Sequence, residues 1–280
     1  MGTGESDVAN EKPASSDRSV VLGDLRGDHY RLQPGAVDMT RPALPIQQVE
    51  IAAQPENIVV DVRKCALIVI DMQNDFCSRA GWLGSLGVDL TGIRRLFDPI
   101  NATLTAARTR SIPTIWVNWG VRADRANLPA GVRYPFNRVG CGVGLGDRFA
   151  GAAAARPDAE SRVLQKDGWG AAVVPELAAR PDDIYVDKHR ISGFWDTPLD
   201  SILRALEVRT LFFAGINADH CVLATLMDAS FKGYDTILLE DCTATSSPDF
   251  CLQATVHNVR FCFGFTVRHE DFVTAARAAE

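Results

Sequence analysis

From Val59 onward, short apolar runs alternate with amphipathic stretches, the pattern of strands and helices wound about a parallel sheet. The runs fall at 66–70, 113–118, 184–186, 210–214, 236–240 and 259–263, and they predict an α/β fold with about six strands. Between them, Ile93, Leu96, Phe97, Ile100, Leu104 and Ala107 recur at helical spacing, with Pro99 interrupting early, so a helix is expected over 93–109. Asp196 or Thr197 ahead of Pro198 predicts a capped helix over 199–206. Asp219 opens another that runs to Phe231, and Gly233 ends it.

Two stretches break the pattern. Residues 1–56 mix Gly, Ser, Asp, Pro and Gln with few apolar clusters, and are expected to form a disordered tail and an extended arm ahead of one large domain over 57–280. Residues 119–183 hold Gly140, Gly142, Gly144 and Gly146 in near alternation with several arginines. They are expected to form a long excursion over the carboxyl edge of the sheet, a lid. These glycines do not sit between a strand and a helix as a phosphate-cradling loop requires.

Composition narrows the function. A chain of 280 residues with 46% hydrophobic content buries one substantial core, and a net charge of -6 disfavours nucleic acid and anionic membrane as partners. A small solute is the expected partner. No apolar run approaches the roughly 18 residues of a membrane span, and the first 20 residues are polar, so a cytoplasmic protein is expected. The seven cysteines (65, 77, 141, 221, 242, 251 and 262) lack paired spacing, which suits reduced thiols. The five histidines form no ligand-spaced motif, so neither a metal nor a cofactor is called for.

Three polar residues stand where apolar runs end: Asp71 after 66–70, Lys188 after 184–186, and Cys221 seven residues beyond Ala214 near a predicted helix start. In an open parallel sheet that edge is where ligands bind. Taken singly, a buried inert cysteine, a turn acid and a solvated lysine are the ordinary readings. Together they place a thiol at a helix start facing a carboxylate and an ammonium, surroundings that favour the reactive thiolate. His220, adjacent to Cys221, is expected to point elsewhere and pack.

The run from Ala66 through Asp71 to Phe76, the segment Gly215-Ile-Asn-Ala-Asp-His-Cys-Val222, and Asp187-Lys188 resemble, in order, three motifs of the isochorismatase-like cysteine hydrolases. That family includes nicotinamidases, N-carbamoylsarcosine amidases, biuret hydrolases and ureidoacrylate amidohydrolases, and the resemblance covers about residues 58 to 276. It implies a three-layer αβα sandwich and a catalytic triad of Asp71, Lys188 and Cys221. It also implies a cis Ile216–Asn217 peptide, and an oxyanion hole from the Asn217 and Cys221 N–H groups.

Within the family, Asn118-Trp119-Gly120 lacks the histidine of the nicotinamidase metal motif, and isochorismatases proper lack the cysteine. The stretch Ser192 to Arg204, the late Phe263-Gly264-Phe265 and the lead-in Pro55 to Ile58 resemble ureidoacrylate amidohydrolases; Asn127 to Asp147 with Asp167-Gly168-Trp169 resembles biuret hydrolases. Ile191 departs from the ureidoacrylate pattern, which has an aromatic hydroxyl there. The expected reaction is cysteine-dependent cleavage of a C–N bond in a small ureide or amide through a thioester, in a homo-oligomer. Hydrolysis of an N-carbamoyl amino acid or another amide is the alternative. Phe76, Asn118, Trp119, Phe194 and Trp195 are the expected substrate walls, and Arg138 or Lys166 could hold a substrate carboxylate. Other classes stay open: an idle scaffold, or an oxidant sensor in which Cys221 pairs with a resolving thiol such as Cys77.

Overall fold

The computed structural model describes residues 19–278 apart from 26–27, 42–43, 141, 150–155 and 159, so the polar tail over 1–18 and Cys141 lie outside the described residues. The chain divides into two units, Met1–Pro45 and Ile46–Glu280. In the first, β1 (Val20–Leu25), β2 (Asp28–Gln33) and β3 (Ala36–Asp38) form an antiparallel sheet. The second begins about ten residues before the boundary expected at 56. Strand β4 (Gln48–Ile51) pairs with β5 (Ile58–Asp61), and Val49, Ile51, Ile58 and Val60 alternate inward to join the core.

The main sheet has six parallel strands: β6 (Cys65–Ile70), β7 (Thr114–Trp119), β8 (Ile184–Lys188), β9 (Thr210–Gly215), β10 (Asp235–Thr243) and β11 (Gly264–Val267). Every residue of β6, β7 and β9 is buried, which is why these strands read as unbroken apolar runs rather than alternating ones. The spatial order is β11-β10-β9-β6-β7-β8. The chain winds outward from β6 through β7 and β8, then returns to the other side of β6 with β9. The winding therefore reverses between β6 and β9, and the crevice beyond their carboxyl ends is where such a sheet takes a ligand.

The helices are α1 (Asn74–Cys77), α2 (Trp82–Ser85), α3 (Thr91–Arg94), α4 (Phe97–Thr109), α5 (Ala130–Arg133), α6 (Leu199–Ala205), α7 (Leu223–Phe231), α8 (Asp249–Asn258) and α9 (His269–Ala278). Helix α9 packs against α4 and sets Phe272 edge-to-face on Phe212 of β9 at 4.9 Å. The helix expected over 93–109 is divided into α3 and α4, and Pro99 falls in the first turn of α4, where no backbone donor is lost. One expected strand is corrected. Val259–Phe263 is a helical turn that continues α8, and the strand starts only at Gly264, where a Cβ would lie 2.0 Å from the Thr236 carbonyl oxygen of β10. Among the described residues no helix is long and apolar enough to cross a membrane.

Candidate active site

Asp71 leaves β6 in a left-handed conformation, φ 55°, which is uncommon for a residue with a side chain and turns the chain sharply at the strand end. Its amide donates to the Val117 carbonyl at 3.1 Å, tying the turn to β7. Strand β9 ends alongside at Gly215, φ 109°, where a Cβ would stand 2.1 Å from the Ile70 carbonyl oxygen. Only glycine permits that approach. The cis Ile216–Asn217 peptide follows, and then a single π turn, Ala218–Val222, that carries Cys221 into α7. The Cys221 carbonyl accepts the Thr225 hydroxyl at 2.6 Å, and the Thr225 oxygen accepts the Gly193 amide at 3.0 Å, fastening the turn to the loop after β8.

Lys188, the last residue of β8, lies across the end of β7 and is fully buried. Its Nζ stands 3.1 Å from Asp71 Oδ2 and 3.3 Å from Cys221 Sγ, and 4.0 Å from the centre of the Trp119 ring. It also donates to the Arg190 carbonyl at 3.3 Å. The structure thus brings the three sequence-predicted polar residues together. Burial and the two neighbouring charges do not all pull the thiol in one direction. Burial pushes the Cys221 thiol up to about 12, the Asp71 charge pushes the same way, and the Lys188 ammonium opposes both. Burial also raises the Asp71 carboxyl, against the pull of Lys188. Desolvation outweighs the ammonium because all three side chains are buried. Burial likewise raises the Cys77 thiol.

Above the trio lies a cavity of about 30 Å³ lined by Asp71, Phe76, Trp119, Phe136, Ile191, Ile216, Asn217, His220 and Cys221. That is a tight space with aromatic walls. Of the five expected walls, Phe76 and Trp119 line this cavity. Asn118 points to the opposite side of β7, into a groove shared with Lys166, because successive strand residues alternate faces. Phe194 is buried in a stack with Tyr234, and Trp195 is surface-exposed with its indole N–H on Asp228 at 2.8 Å. Lys166 pairs with Asp187 at 2.6 Å, and Arg138 is exposed and does not line the cavity. Phe136, Ile191 and His220 were not foreseen as walls. His220 faces the cavity with Nε2 3.3 Å from Asp219 Oδ2.

The residues after Asp71 hold the excursion over 119–183 in place. Gln73 donates to the Trp119 and Ala171 carbonyls at 2.8 and 2.7 Å and accepts the Trp119 amide at 2.9 Å, while Asn74 donates to the Trp169 carbonyl at 2.9 Å. Asp75 accepts the Leu164 amide at 2.7 Å and forms an ion pair with Arg156 in which both side chains are fully buried. Gly170 makes room for that pair; a Cβ there would lie 2.1 Å from Asp75 Oδ2. Phe136 then reaches the cavity edge-to-face on Trp119, ring centres 5.9 Å apart. Among the described residues no cluster of His, Cys, Asp and Glu is arranged to hold a metal.

The doubly wound α/β sheet carries a thiol, a carboxylate and an amine at its reversal point, and the sequence profile of the Isochorismatase domain matches residues 65–271. The chain belongs to the isochorismatase family. It is 35% identical over 233 residues to the ureidoacrylate amidohydrolase RutB of Klebsiella variicola (strain At-22), covering 82% of this chain and 94% of that protein. It is also 35% identical over 236 residues to the RutB protein of Rhizobium rhizogenes (strain K84 / ATCC BAA-868), covering 83% and 92%. Among solved structures, a cysteine hydrolase from Pseudomonas syringae pv. phaseolicola 1448A superposes with a TM-score of 0.63 at 23% identity, covering 85% of this chain and all of that one. An N-carbamoylsarcosine amidase from Thermoplasma acidophilum gives 0.54 at 25%, covering 74% and 97%. The RutB proteins and the N-carbamoylsarcosine amidase are by name hydrolases of non-peptide C–N bonds, and this chain is an enzyme of that class.

Proposed function

We propose that the chain hydrolyses a small ureide of the ureidoacrylate class, with Cys221 as nucleophile. The observation that carries the reading is the placement of the Lys188 ammonium, 3.1 Å from a carboxylate and 3.3 Å from a thiol, under an aromatic cavity. The RutB relatives supply the substrate class.

Burial disfavours a standing thiolate, and on this reading the thiol loses its proton as it attacks. Asp71 takes that proton while the sulfur bonds to the ureide carbonyl carbon, and Lys188 stabilises the charge that moves between them. The carbonyl oxygen becomes negative and is held by the backbone N–H groups of Asn217 and Cys221. Asp71 returns the proton to the leaving nitrogen as one C–N bond breaks, leaving an S-carbamoyl adduct, a thiocarbamate, on Cys221; an amide substrate would leave a thioester. Water, deprotonated by Asp71, adds to that carbonyl, the C–S bond breaks, the sulfur takes the proton from Asp71, and a carbamic acid (from an amide, a carboxylic acid) is released. Lys188 is never consumed.

Ile191 gives the cavity an apolar wall, and this favours a second reading within the class, an N-carbamoyl or simple amide substrate with no hydroxyl-seeking group at that edge. An ammonia-release screen over ureidoacrylate, biuret, N-carbamoyl amino acids, nicotinamide and simple amides decides between them, with carbamate decomposition included in the count. Turnover of ureidoacrylate above the others is expected. Turnover of none, by a folded chain, overturns the proposal.

A further inference from the structure

The groove that takes Asn118 lies on the face of β7 and β8 turned away from the catalytic cavity, and it measures about 540 Å³. Small-molecule sites run to about 300–1,000 Å³. Asn118 and Asp187 are partners in the β7–β8 register, so their side chains share this face; the next pair, Trp119 and Lys188, shares the catalytic one. Backbone bonds fix the opposite wall. The Lys166 amide donates to the Val121 carbonyl at 2.9 Å, and Val173 bridges to Gln73. Gly120 leaves room for the Asp187 side chain, since a Cβ there would lie 2.7 Å from the Asp187 Cβ.

Asn118 is the group that calls for a ligand. It is 6% exposed, and among the described residues its Oδ1 has no hydrogen-bond partner. Roughly nine in ten buried polar groups are paired, because an amide that leaves water without a new partner destabilises the fold. A carboxamide presents an acceptor and N–H donors side by side, and a second carboxamide or a urea meets both. The rim sets the charge of that partner. Lys166 is already engaged by Asp187 at 2.6 Å, and Asp167 adds another carboxylate. One ammonium against two carboxylates disfavours an anion. Ala172, Val173 and Val186 supply apolar wall for the rest of a small, flat molecule.

We propose that this groove is a second binding site, back to back with the catalytic one, for a small neutral carboxamide or ureide, and that Asn118 is the residue that reads it. Asn118 and the charge of the rim define the site, so it stands whether or not Cys221 is the nucleophile. Its occupant lies against Asn118 and Asp187, each one residue before a member of the catalytic wall, Trp119 and Lys188.

The test is a nuclear magnetic resonance titration of the full chain, nitrogen-labelled, with N-methylurea as probe and acetate as anionic control. The Asn118 side-chain amide is assigned by its loss in Asn118→Leu. Saturable shifts of that amide and of the Gly168 backbone amide are expected with N-methylurea and none with acetate. In Asn118→Leu the groove's backbone amides should report binding about tenfold weaker or more. The Tm of that variant should rise, because an unpaired amide leaves the interior; a fall would show that the amide is bonded within the protein and overturn the proposal. Should Asn118→Leu fail to fold, Ala172→Phe fills the groove from its wall and should abolish the shifts. Shifts that never saturate, that acetate produces equally, or that survive the substitution overturn the proposal. So do shifts confined to the Cys221 amide and its neighbours, which place the probe in the catalytic cavity alone. A chain without amidase activity that still shows the saturable shift at Asn118 refutes the catalytic reading and bears this one out.

Discussion

Lys188→Met removes an ammonium while keeping most of the side chain's length and volume. In the native chain that ammonium is fully buried, 3.1 Å from Asp71 Oδ2, with the aspartate 1% exposed. Taking one partner from a buried pair leaves the other charge uncompensated and costs about 3–5 kcal/mol. The cost depends on pH, and its sign follows from Asp71. Burial already holds the folded-state carboxyl above its ordinary 3.8, and Lys188 is the main force pulling it back. An acid with a raised folded pKa favours the fold fully below its unfolded value, and that contribution is lost as pH rises through the folded value. Without Lys188 the folded value climbs further, so the loss extends to higher pH. Urea unfolding of native and variant protein at mildly acidic and mildly alkaline pH should therefore show a larger deficit at the alkaline end. Asp71→Asn in the Lys188→Met background removes the stranded charge and should recover most of the deficit. A deficit below about 1 kcal/mol, the level of an exposed pair, would refute the reasoning, as would one that is flat with pH or that the double variant fails to relieve.

The Cys221 thiol, pushed up to about 12, should react with iodoacetamide at a rate that climbs about tenfold per pH unit from neutral upward, and Asp71→Asn should speed the reaction by removing the charge that raises it. Fast labelling that is independent of pH near neutrality would contradict this. Gly215→Ala should cost about 1–3 kcal/mol in backbone strain before any clash with Ile70, measured as a lower urea midpoint, and an unchanged midpoint would show that the β9 exit adapts. Asp75→Asn breaks the buried pair with Arg156 and should cost about 3–5 kcal/mol, with hydrogen exchange quickened first at the Leu164 amide; protection unchanged at that amide would refute the anchoring role.

What could be read from the chain was what local chemistry dictates. The fully buried strands β6, β7 and β9 announce themselves as apolar runs, and Asp71 and Lys188 stand out because polarity returns abruptly where those runs stop. Val259–Phe263 shows the limit. Five apolar residues read equally as a strand or as a half-buried helical turn, and only the close approach of Gly264 to Thr236 fixes where the strand begins. Asn118 suits a ureide site by its polarity, but strand alternation sends it and Trp119 to opposite faces. Phe136 could not be found from pattern at all, since it arrives from a non-repetitive excursion fixed by Gln73, Asn74 and Asp75. Those three polar residues directly after Asp71 were the available signal, because buried polar side chains in a row must be bonding backbone somewhere. The desolvation of the thiol is hidden for a related reason: the helix start and the lysine are visible in sequence, but the burial that pushes the thiol up is not.

The central claim is that Cys221 carries the acyl group during turnover. Rapid acid quench of native enzyme turning over its best ureide, followed by peptide mass spectrometry, should find the substrate's acyl or carbamoyl mass on the peptide containing Cys221. The adduct should vanish, with ammonia release, in Cys221→Ala. Undiminished turnover by Cys221→Ala, or an acyl mass on a different residue, would contradict the account.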